Sequence, residues 1–308
     1  MTTFRQAATD YLVLRRSLGF KLHGHDRLLA DFLGYLEESG ATAVTSAAAL
    51  AWATARPGAS PTQWAHRLSV VRGFARHLQC MDDTVEVPPI DLLGRRRYRP
   101  AAYLYSDADV VALLEAADAL RPRLRAVTHQ ALLGLLAVTG MRIGEAIRLN
   151  RDNVDLRAGT VHIPLTKFNK HRRLPLHDTT CAALRDYSQQ RDELCPKPVS
   201  PAFFVSTRGT RLLVTNVHHV FRKLLLDIGL EPQPGGAGPK VHGLRHTFAV
   251  ATVRDWHRDG ADPAGKLSLL SAYLGHADPA YTYWYLQACP ELLALAAQRL
   301  ERWQETAR

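Results

Sequence analysis

Two short segments of the chain each hold an arginine three residues from another ionisable side chain. In TGMRIGEAIRL, Arg142 precedes Glu145 by three residues, and in HGLRH, His242 precedes Arg245 by three residues. On a helix this spacing puts both members of a pair on one face. A guanidinium group offers a permanent charge and a planar fork of N–H donors, so the two segments predict a site that binds an oxyanion.

Two further segments supply groups that could attack such an anion or donate a proton during the attack. LGHADPAYTYWYL holds His276 and three tyrosines, at positions 281, 283 and 285. TKFNKHRR holds Lys167 and Lys170 in a stretch that reads as a hairpin turn, from which a side chain can reach outward. A phenol is a nucleophile once it loses its proton, and an ammonium group is a proton donor. These residue types suit nucleophilic attack with acid assistance.

Each segment alone has an ordinary structural explanation. An Arg–Glu pair is typical of a helix surface, a single helical histidine of a satisfied polar group, a tyrosine run of packing, and turn lysines of solvated charge. The order and combination along the chain favour one common site, made of Arg142, Lys167, His242, Arg245, His276 and Tyr285.

The elements that must position these residues begin with a helical region that ends near residue 80. Its pattern predicts a small bundle of four short helices. The second helix ends at Gly40, and the third begins at Ser46 and stops before Pro57. In the fourth, Ser60 is the predicted cap and Pro61 takes the first helical position.

The stretch VPPIDLLGRRRYRP, at 87–100, reads as a linker because its prolines and glycine interrupt helices. Its four arginines are either a solvated charge run or a basic segment that faces DNA. After it, helices are predicted at 106–120, at 123–138 and from 141 onward. Three short β-like runs then predict an antiparallel sheet, at 154–156, 160–165 and 172–176. Helical patterns resume at 178–193, 215–229, 243–257, 264–274, 280–288 and 291–304.

Composition excludes several protein classes. The 308 residues are 46% hydrophobic, which excludes a disordered or collagen-like chain and leaves room for two domains. The formal charge is +10 at pH 7, which suits a polyanion such as DNA. A compositional bias explains it equally well, since 32 of the 39 basic residues are arginine. No apolar run approaches the roughly 20 residues of a membrane span, and no secretory leader is recognisable.

Cysteine usage and the absence of metal-binding motifs bear on the compartment and on cofactors. The four cysteines lie far apart, which indicates neither a disulfide framework nor a zinc ribbon, at Cys80, Cys181, Cys195 and Cys289. No HExxH or EF-hand run occurs. We therefore expect a reducing cytoplasm and no metal or other cofactor.

Residues 106–290 resemble the tyrosine recombinases, the phage-type integrase family that includes the Xer-like recombinases. The resemblance rests on the segments TGMRIGEAIRL, TKFNKHRRLPL, HGLRHTFA and LGHADPAYTYWY. It implies that the catalytic residues are Arg142, Lys167, His242, Arg245, His276 and Tyr285. It also implies that Glu145 supports Arg142. Spacing alone prefers Tyr285 to Tyr283 as the nucleophile, and Lys167 matches the family better than Lys170 does.

The expected fold class is mainly α with a small antiparallel β-sheet. The resemblance adds a two-domain C-shaped clamp. A helical, SAM-like core-binding domain would cover 1–95, a basic linker 96–100, and an α+β tyrosine recombinase catalytic domain 101–308, with a C-terminal helix for protomer contacts. Six arginines are candidate DNA contacts, with a solvated face as the equal alternative for those in the first domain: Arg72, Arg76, Arg95, Arg96, Arg97 and Arg99.

The implied function is site-specific recombination of double-stranded DNA through a covalent 3′-phosphotyrosine. It would integrate or excise a mobile element, or resolve replicon multimers, without metal or ATP. We expect a homotetramer holding two DNA sites, with accessory proteins that set direction as an open partner class, and no membrane partner. Two alternatives remain: a non-catalytic DNA-binding protein of the same fold, and a type IB topoisomerase.

Overall fold

The computed structural model describes residues 4–93, 102–164, 171–231 and 238–276, together with Asp278, Thr282 and Ala297. The chain divides into two compact units, Met1–Arg99 and Pro100–Arg308. The division falls at the end of the predicted linker, 96–100, which lies outside the described residues. The functional roles assigned to the two regions stay predictions.

Within residues 4–93, the first unit contains four helices: α1 (Phe4–Ser17), α2 (His25–Glu38), α3 (Ser46–Thr54) and α4 (Pro61–Gln79). The predicted start of α4 is confirmed. The Ser60 hydroxyl accepts from the backbone N–H of Gln63, the Gln63 side chain accepts from the Ser60 N–H, and Pro61 opens the helix. The core includes Phe32 and Trp52, whose rings meet edge to face with centroids 5.1 Å apart.

Arg72 on α4 has a structural role that differs from the predicted DNA contact. Its side chain is buried, and its Nε and Nη2 donate to the carbonyls of Pro88 and Pro89, each at 2.7 Å. Burial lowers the pKa of Arg72, and the charge of Arg76 adds to that shift. These bonds make Arg72 an anchor for the segment that follows α4, and its DNA contact stays a prediction. Arg76 is exposed, and its DNA contact stays a prediction.

The described part of the second unit contains seven helices: α5 (Asp107–Asp118), α6 (Arg123–Thr139), α7 (Ile143–Ala146), α8 (Asp178–Leu194), α9 (Val214–Asp227), α10 (Val241–Arg258) and α11 (Pro263–Leu274). It also contains three strands: β1 (Val154–Asp155), β2 (Thr160–Ile163) and β3 (Arg172–Pro175). They form an antiparallel sheet in the order β1-β2-β3, as predicted. Val161 pairs with Leu174, and both are buried.

Helix α6 is the central element of the second unit. It packs against α5, α8 and α10, and it is buried on most of its surface. A helix that buries most of its surface belongs inside a domain, which explains its position. Helix α11 packs on α10 through an apolar cluster that includes Val253 and Leu270. The packing brings the C-terminal ends of α6 and α11 to the N-terminal half of α10.

Two predicted C-terminal helices, 280–288 and 291–304, lie outside the described residues apart from Thr282 and Ala297. Among the helices that are described, none combines the length and the hydropathy that a membrane span requires.

Candidate active site

Arg142 lies at the turn between α6 and α7. Its backbone N–H donates to Glu145 Oε2 at 2.9 Å, and its Nη1 donates to Glu145 Oε1 at 2.9 Å. Its Nη2 donates to the carbonyl of Gly275 at 3.1 Å. The side chain is 38% exposed, so the guanidinium is fixed by these bonds and still accessible to a ligand. These contacts use two of its five side-chain N–H groups.

Glu145 is the buried acceptor at the centre of this arrangement. Its side chain is 3% exposed and also accepts from Arg172, whose Nη1 lies 3.2 Å from Oε1 and whose Nη2 lies 2.8 Å from Oε2. Burial alone would raise the pKa of Glu145. The hydrogen bonds and charges of Arg172 and then of Arg142 outweigh burial, and the net pKa is lowered. The carboxylate is therefore ionised at neutral pH and holds two guanidinium groups.

Arg245 is supplied by α10 and is almost fully buried. Its Nη1 donates to the carbonyl of Gly140, and its Nη2 donates to the carbonyl of Leu274, both at 2.8 Å. His242, one turn earlier, is exposed. The His242 and His246 rings meet edge to face, with centroids 4.6 Å apart. The helix predicted for HGLRH is confirmed, because His242, Arg245 and His246 all lie on α10.

The segment that precedes α5 fixes the start of α10. The Tyr105 hydroxyl donates to the Lys240 carbonyl at 3.0 Å, and the Tyr105 N–H donates to Thr247 Oγ1 at 2.8 Å. Gly243 lies between His242 and Arg245 and faces this contact, because a Cβ there would come within 2.7 Å of the Tyr105 ring. A larger residue would push α10 away from residues 103–105. The glycine is thus a packing requirement of this helix.

Both arginines are held by the C-terminal ends of helices. Gly140 ends α6 with φ 58°, and Gly275 ends α11 with φ 69°, in the left-handed conformation that glycine adopts without a Cβ penalty. The carbonyls that accept from the guanidinium groups belong to these two turns, at Gly140, Leu274 and Gly275. Helix C-termini carry partial negative charge, which favours cations there.

His276 follows the Gly275 turn. Its Nδ1 lies 2.7 Å from the Oγ1 of Thr282, which is buried. Burial lowers the pKa of His276 to about 4, helped by the positive charges of four side chains: Arg245, Arg142, His242 and Arg172. The imidazole is therefore neutral at pH 7. It also lies within electrostatic range of these four side chains.

The structure brings together most of the predicted site that it describes. These residues come from the turn before α7, from α7, from α10 and from the turn after α11: Arg142, Glu145, His242, Arg245 and His276. The other predicted catalytic residues lie outside the described residues, as do their alternatives and four linker arginines: Lys167, Lys170, Tyr283, Tyr285, Arg95, Arg96, Arg97 and Arg99. The assembled groups form a cationic cluster that can bind an oxyanion. Within the described residues, no group of three or more His, Cys, Asp or Glu side chains is arranged to hold a metal.

Sequence reasoning missed Arg172 as a member of the site, although it lies in the segment TKFNKHRR. The alternation of side chains between the two faces of a β-strand could have indicated this position. Arg172 is two residues before buried Leu174, so both side chains point to the same face of β3, while Arg173 points to solvent. Thr282 was also missed, because its hydrogen bond to His276 depends on how the chain turns after α11.

The chain is similar to proteins of one functional class. The model of the phage integrase family matches residues 104–291. A protein of Sinorhizobium fredii named as an integrase/recombinase, y4rB, is 43% identical over 99% of this chain and 99% of its own length. The tyrosine recombinase XerC of Alcanivorax borkumensis is 30% identical over 75% of this chain and 70% of its own length.

Solved structures share the fold at lower identity. The XerH site-specific recombinase bound to a palindromic difH substrate, in a post-cleavage complex, has a TM-score of 0.68 and 18% identity, and the match covers 97% of this chain and 85% of that chain. A lambda integrase dimer bound to a COC′ core site has a TM-score of 0.60 and 16% identity, and the match covers 91% of this chain and 75% of that chain.

Proposed function

The chain belongs to the phage integrase family of tyrosine recombinases, and we propose that it cleaves and rejoins double-stranded DNA at specific sites through a covalent 3′-phosphotyrosine. One observation carries the proposal. Segments far apart in sequence bring two guanidinium groups and two imidazoles to the same place, around Arg142, His242, Arg245 and His276. A surface helix pair or a packing role would not require these groups to share one cluster.

The two arginines would hold the scissile phosphate. In-line attack on a phosphodiester concentrates negative charge on the non-bridging oxygens, and preorganised donors stabilise that charge. Arg142 and Arg245 are held by carbonyls and by Glu145 before any DNA arrives, so little reorganisation is needed. Each such donor group is worth about 3 kcal/mol of transition-state stabilisation.

Tyr285 would be the nucleophile. Its Oη forms a bond to phosphorus while the bond from phosphorus to the 5′-oxygen breaks, which gives a 3′-phosphotyrosine and a free 5′-hydroxyl. Lys167 would donate the proton that the 5′-oxygen takes up. A phenol with a pKa near 10 is mostly protonated at pH 7, a deficit of about 4 kcal/mol that nearby cations reduce. Attack by a 5′-hydroxyl on the phosphotyrosine reverses the step and reseals a strand without ATP.

The two histidines would have different roles. His276 is neutral at pH 7 because its pKa is lowered to about 4. When the Thr282 hydroxyl donates to Nδ1, the ring proton lies on Nε2, which can then donate to a phosphate oxygen. His242 is exposed and would assist the phenol in losing its proton.

The remaining features follow from the same proposal. The helical first unit would be the core-binding domain, with Arg76 among its DNA contacts. The C-terminal helix would contact a neighbouring protomer in a homotetramer on two DNA sites. The protein would act in the cytoplasm, on a mobile element or on replicon multimers, as expected for a chain whose named relatives are bacterial recombinases.

The test is a nicked suicide duplex built from inverted repeats that flank the gene. The wild-type chain should form a covalent protein–DNA adduct without added metal, and Tyr285→Phe should not, because it lacks the attacking oxygen. Tyr283→Phe is the matched control and should form the adduct. An adduct lost in Tyr283→Phe but kept in Tyr285→Phe would contradict the choice of nucleophile.

Two other outcomes would favour the rival functions. Tight binding of the repeats with no adduct would indicate a DNA-binding protein of the same fold. Relaxation of supercoiled DNA that needs no repeat would indicate a type IB topoisomerase. Strand exchange between two repeat-containing duplexes is the result expected of a recombinase.

A further inference from the structure

Arg172 on β3 connects parts of the site that are distant in sequence. Its side chain is 12% exposed, and it binds Glu145 with both Nη atoms. We propose that Arg172 is a positioning residue for DNA cleavage, which sets the Arg142 guanidinium through Glu145 and seats β3 against the Gly275 turn. The inference rests on the function proposed above and adds a residue to its machinery.

The hydrogen bonds around Glu145 show how Arg172 acts on Arg142. Oε1 accepts from an Nη1 of each arginine, and Oε2 accepts from the Arg142 backbone and from Arg172 Nη2. A carboxylate has about four acceptor positions, so the two arginines together saturate it. Without Arg172, a buried carboxylate would keep two unsatisfied positions and would rotate toward any other donor. Arg142 would lose the fixed orientation of its partner.

A close approach to Gly275 gives Arg172 a second effect. A Cβ placed on Gly275 would come within 2.6 Å of Arg172 Nη1 and 3.0 Å of its Cζ. The guanidinium therefore lies directly against a turn that only glycine permits at this distance. The Gly275 carbonyl accepts from Arg142, and the next residue is His276. The position of Arg172 thus affects both Arg142 and the turn that carries His276.

Burial and pairing make Arg172 a poor direct ligand for phosphate. Its two Nη atoms are directed to Glu145, and little of its side chain reaches solvent.

The neighbouring arginine provides a matched control. Arg173 is on the same strand with the same charge, but its side chain is exposed. In single-turnover assays with saturating suicide duplex, Arg172→Ala should slow adduct formation about 100-fold, the effect expected of a misplacement of about 1 Å. Arg173→Ala should stay within about twofold of wild type, and DNA affinity should change less than about threefold in Arg172→Ala. Arg172→Lys should recover part of the rate, because an ammonium group can bind one carboxylate oxygen but lacks the planar fork.

A double-mutant cycle separates positioning from a general loss of structure. If Arg172 acts through Glu145, adding Arg172→Ala to Glu145→Gln should slow adduct formation less than about tenfold further. Fully multiplicative losses, an equal loss in Arg173→Ala, or an unchanged rate in Arg172→Ala would each overturn the inference. Circular dichroism melting of each variant identifies any chain that fails to fold, and Arg172→Lys then replaces the alanine variant in the cycle.

A readout independent of activity distinguishes failure of this inference from failure of the proposed function. The ¹⁵N signals of the Arg142 guanidinium, assigned with Arg142→Lys, should be sharp in wild type and in Arg173→Ala because the group is held. They should broaden or shift in Arg172→Ala. Signals that are identical in all variants would overturn the positioning role, whether or not the chain forms an adduct.

Discussion

Replacing Gly140 by alanine should damage the site more than replacing a glycine of the same backbone conformation elsewhere. Gly140 is buried, has φ 58°, and offers its carbonyl to Arg245. A Cβ at this position would come within 2.5 Å of Phe248 Cδ1 and 3.2 Å of Leu274 Cδ2. Gly140→Ala therefore combines backbone strain with overlap against packed side chains.

The magnitude follows from these two contributions. A left-handed conformation costs a residue with a Cβ roughly 1–2 kcal/mol, and forcing extra volume into a packed core costs about 1–3 kcal/mol. The total is about 2–5 kcal/mol for Gly140→Ala. For a unit of 150–250 residues, each 1 kcal/mol lowers Tm by roughly 2–4 °C. The expected decrease in Tm is about 10 °C.

Gly229 is the matched control because it has φ 71° at the end of α9 and nothing lies within 4 Å of its Cβ position. Gly229→Ala should lower Tm by only about 4 °C, from backbone strain alone. Both variants would be compared with wild type by thermal unfolding followed by circular dichroism. In the suicide-duplex assay, Gly140→Ala should form adduct about 100-fold more slowly because the carbonyl that holds Arg245 moves, and Gly229→Ala should be unchanged.

Equal losses of Tm in the two variants would show that overlap with Phe248 contributes nothing. A destabilised Gly140→Ala chain that cleaved at the wild-type rate would refute the argument that the α6 terminus positions Arg245. A loss of cleavage in Gly229→Ala would show that strain in any glycine turn is enough.

Further predictions concern four individual side chains. Glu145→Gln should destabilise the chain by about 3–5 kcal/mol at pH 7, since it removes a buried carboxylate that pairs with the largely buried Arg172 and the more accessible Arg142. Because the pKa of Glu145 is lowered in the folded chain, the stability that its carboxylate contributes is lost as pH falls below about 4.5. The urea midpoints of Glu145→Gln and wild type should therefore converge at low pH. A difference that stays constant with pH would contradict this. His276 should titrate by NMR with a midpoint near 4. Between pH 6.5 and 4 only the unfolded chain takes up this proton, so the free energy of unfolding should decrease as pH falls across that window. The decrease should be less steep in His276→Asn, which cannot take up the proton. Arg72→Ala should cost about 2–4 kcal/mol through two lost hydrogen bonds, measured by urea unfolding, without changing the salt dependence of DNA binding. Arg76→Ala should leave stability unchanged and reduce the slope of log Kd against log salt by about one. A reduced slope in Arg72→Ala would contradict the anchoring role of Arg72.

The elements that local patterns specify were predictable. Ser60, followed by Pro61 at the first helical position, caps α4. Ser106 begins the helix predicted at 106–120, and its hydroxyl accepts from the N–H of Asp109, three residues later. The three-stranded sheet follows from short β-like runs between turns. Such features depend on neighbours in sequence, which is why composition and spacing reveal them.

The contacts that the sequence did not indicate involve partners that are distant along the chain. Arg72 looked like a free charge because the carbonyls that bury it come 16 and 17 residues later. Arg172 was given no role because its acceptor, Glu145, lies 27 residues earlier. A helical or strand period indicates which face a side chain takes, but it does not identify what occupies the space opposite.

The sequence by itself determined the chemistry available to this protein. The residue types and their spacing within each segment are read directly from it, at Arg142, His242, Arg245 and His276. Only the tertiary structure decided which atoms hold them. Arg245 donates to a carbonyl 105 residues away, and Arg142 to one 133 residues away, because α6 and α11 both end in left-handed glycine turns beside α10. Those contacts arise from the packing of whole helices, and no spacing within one segment specifies them.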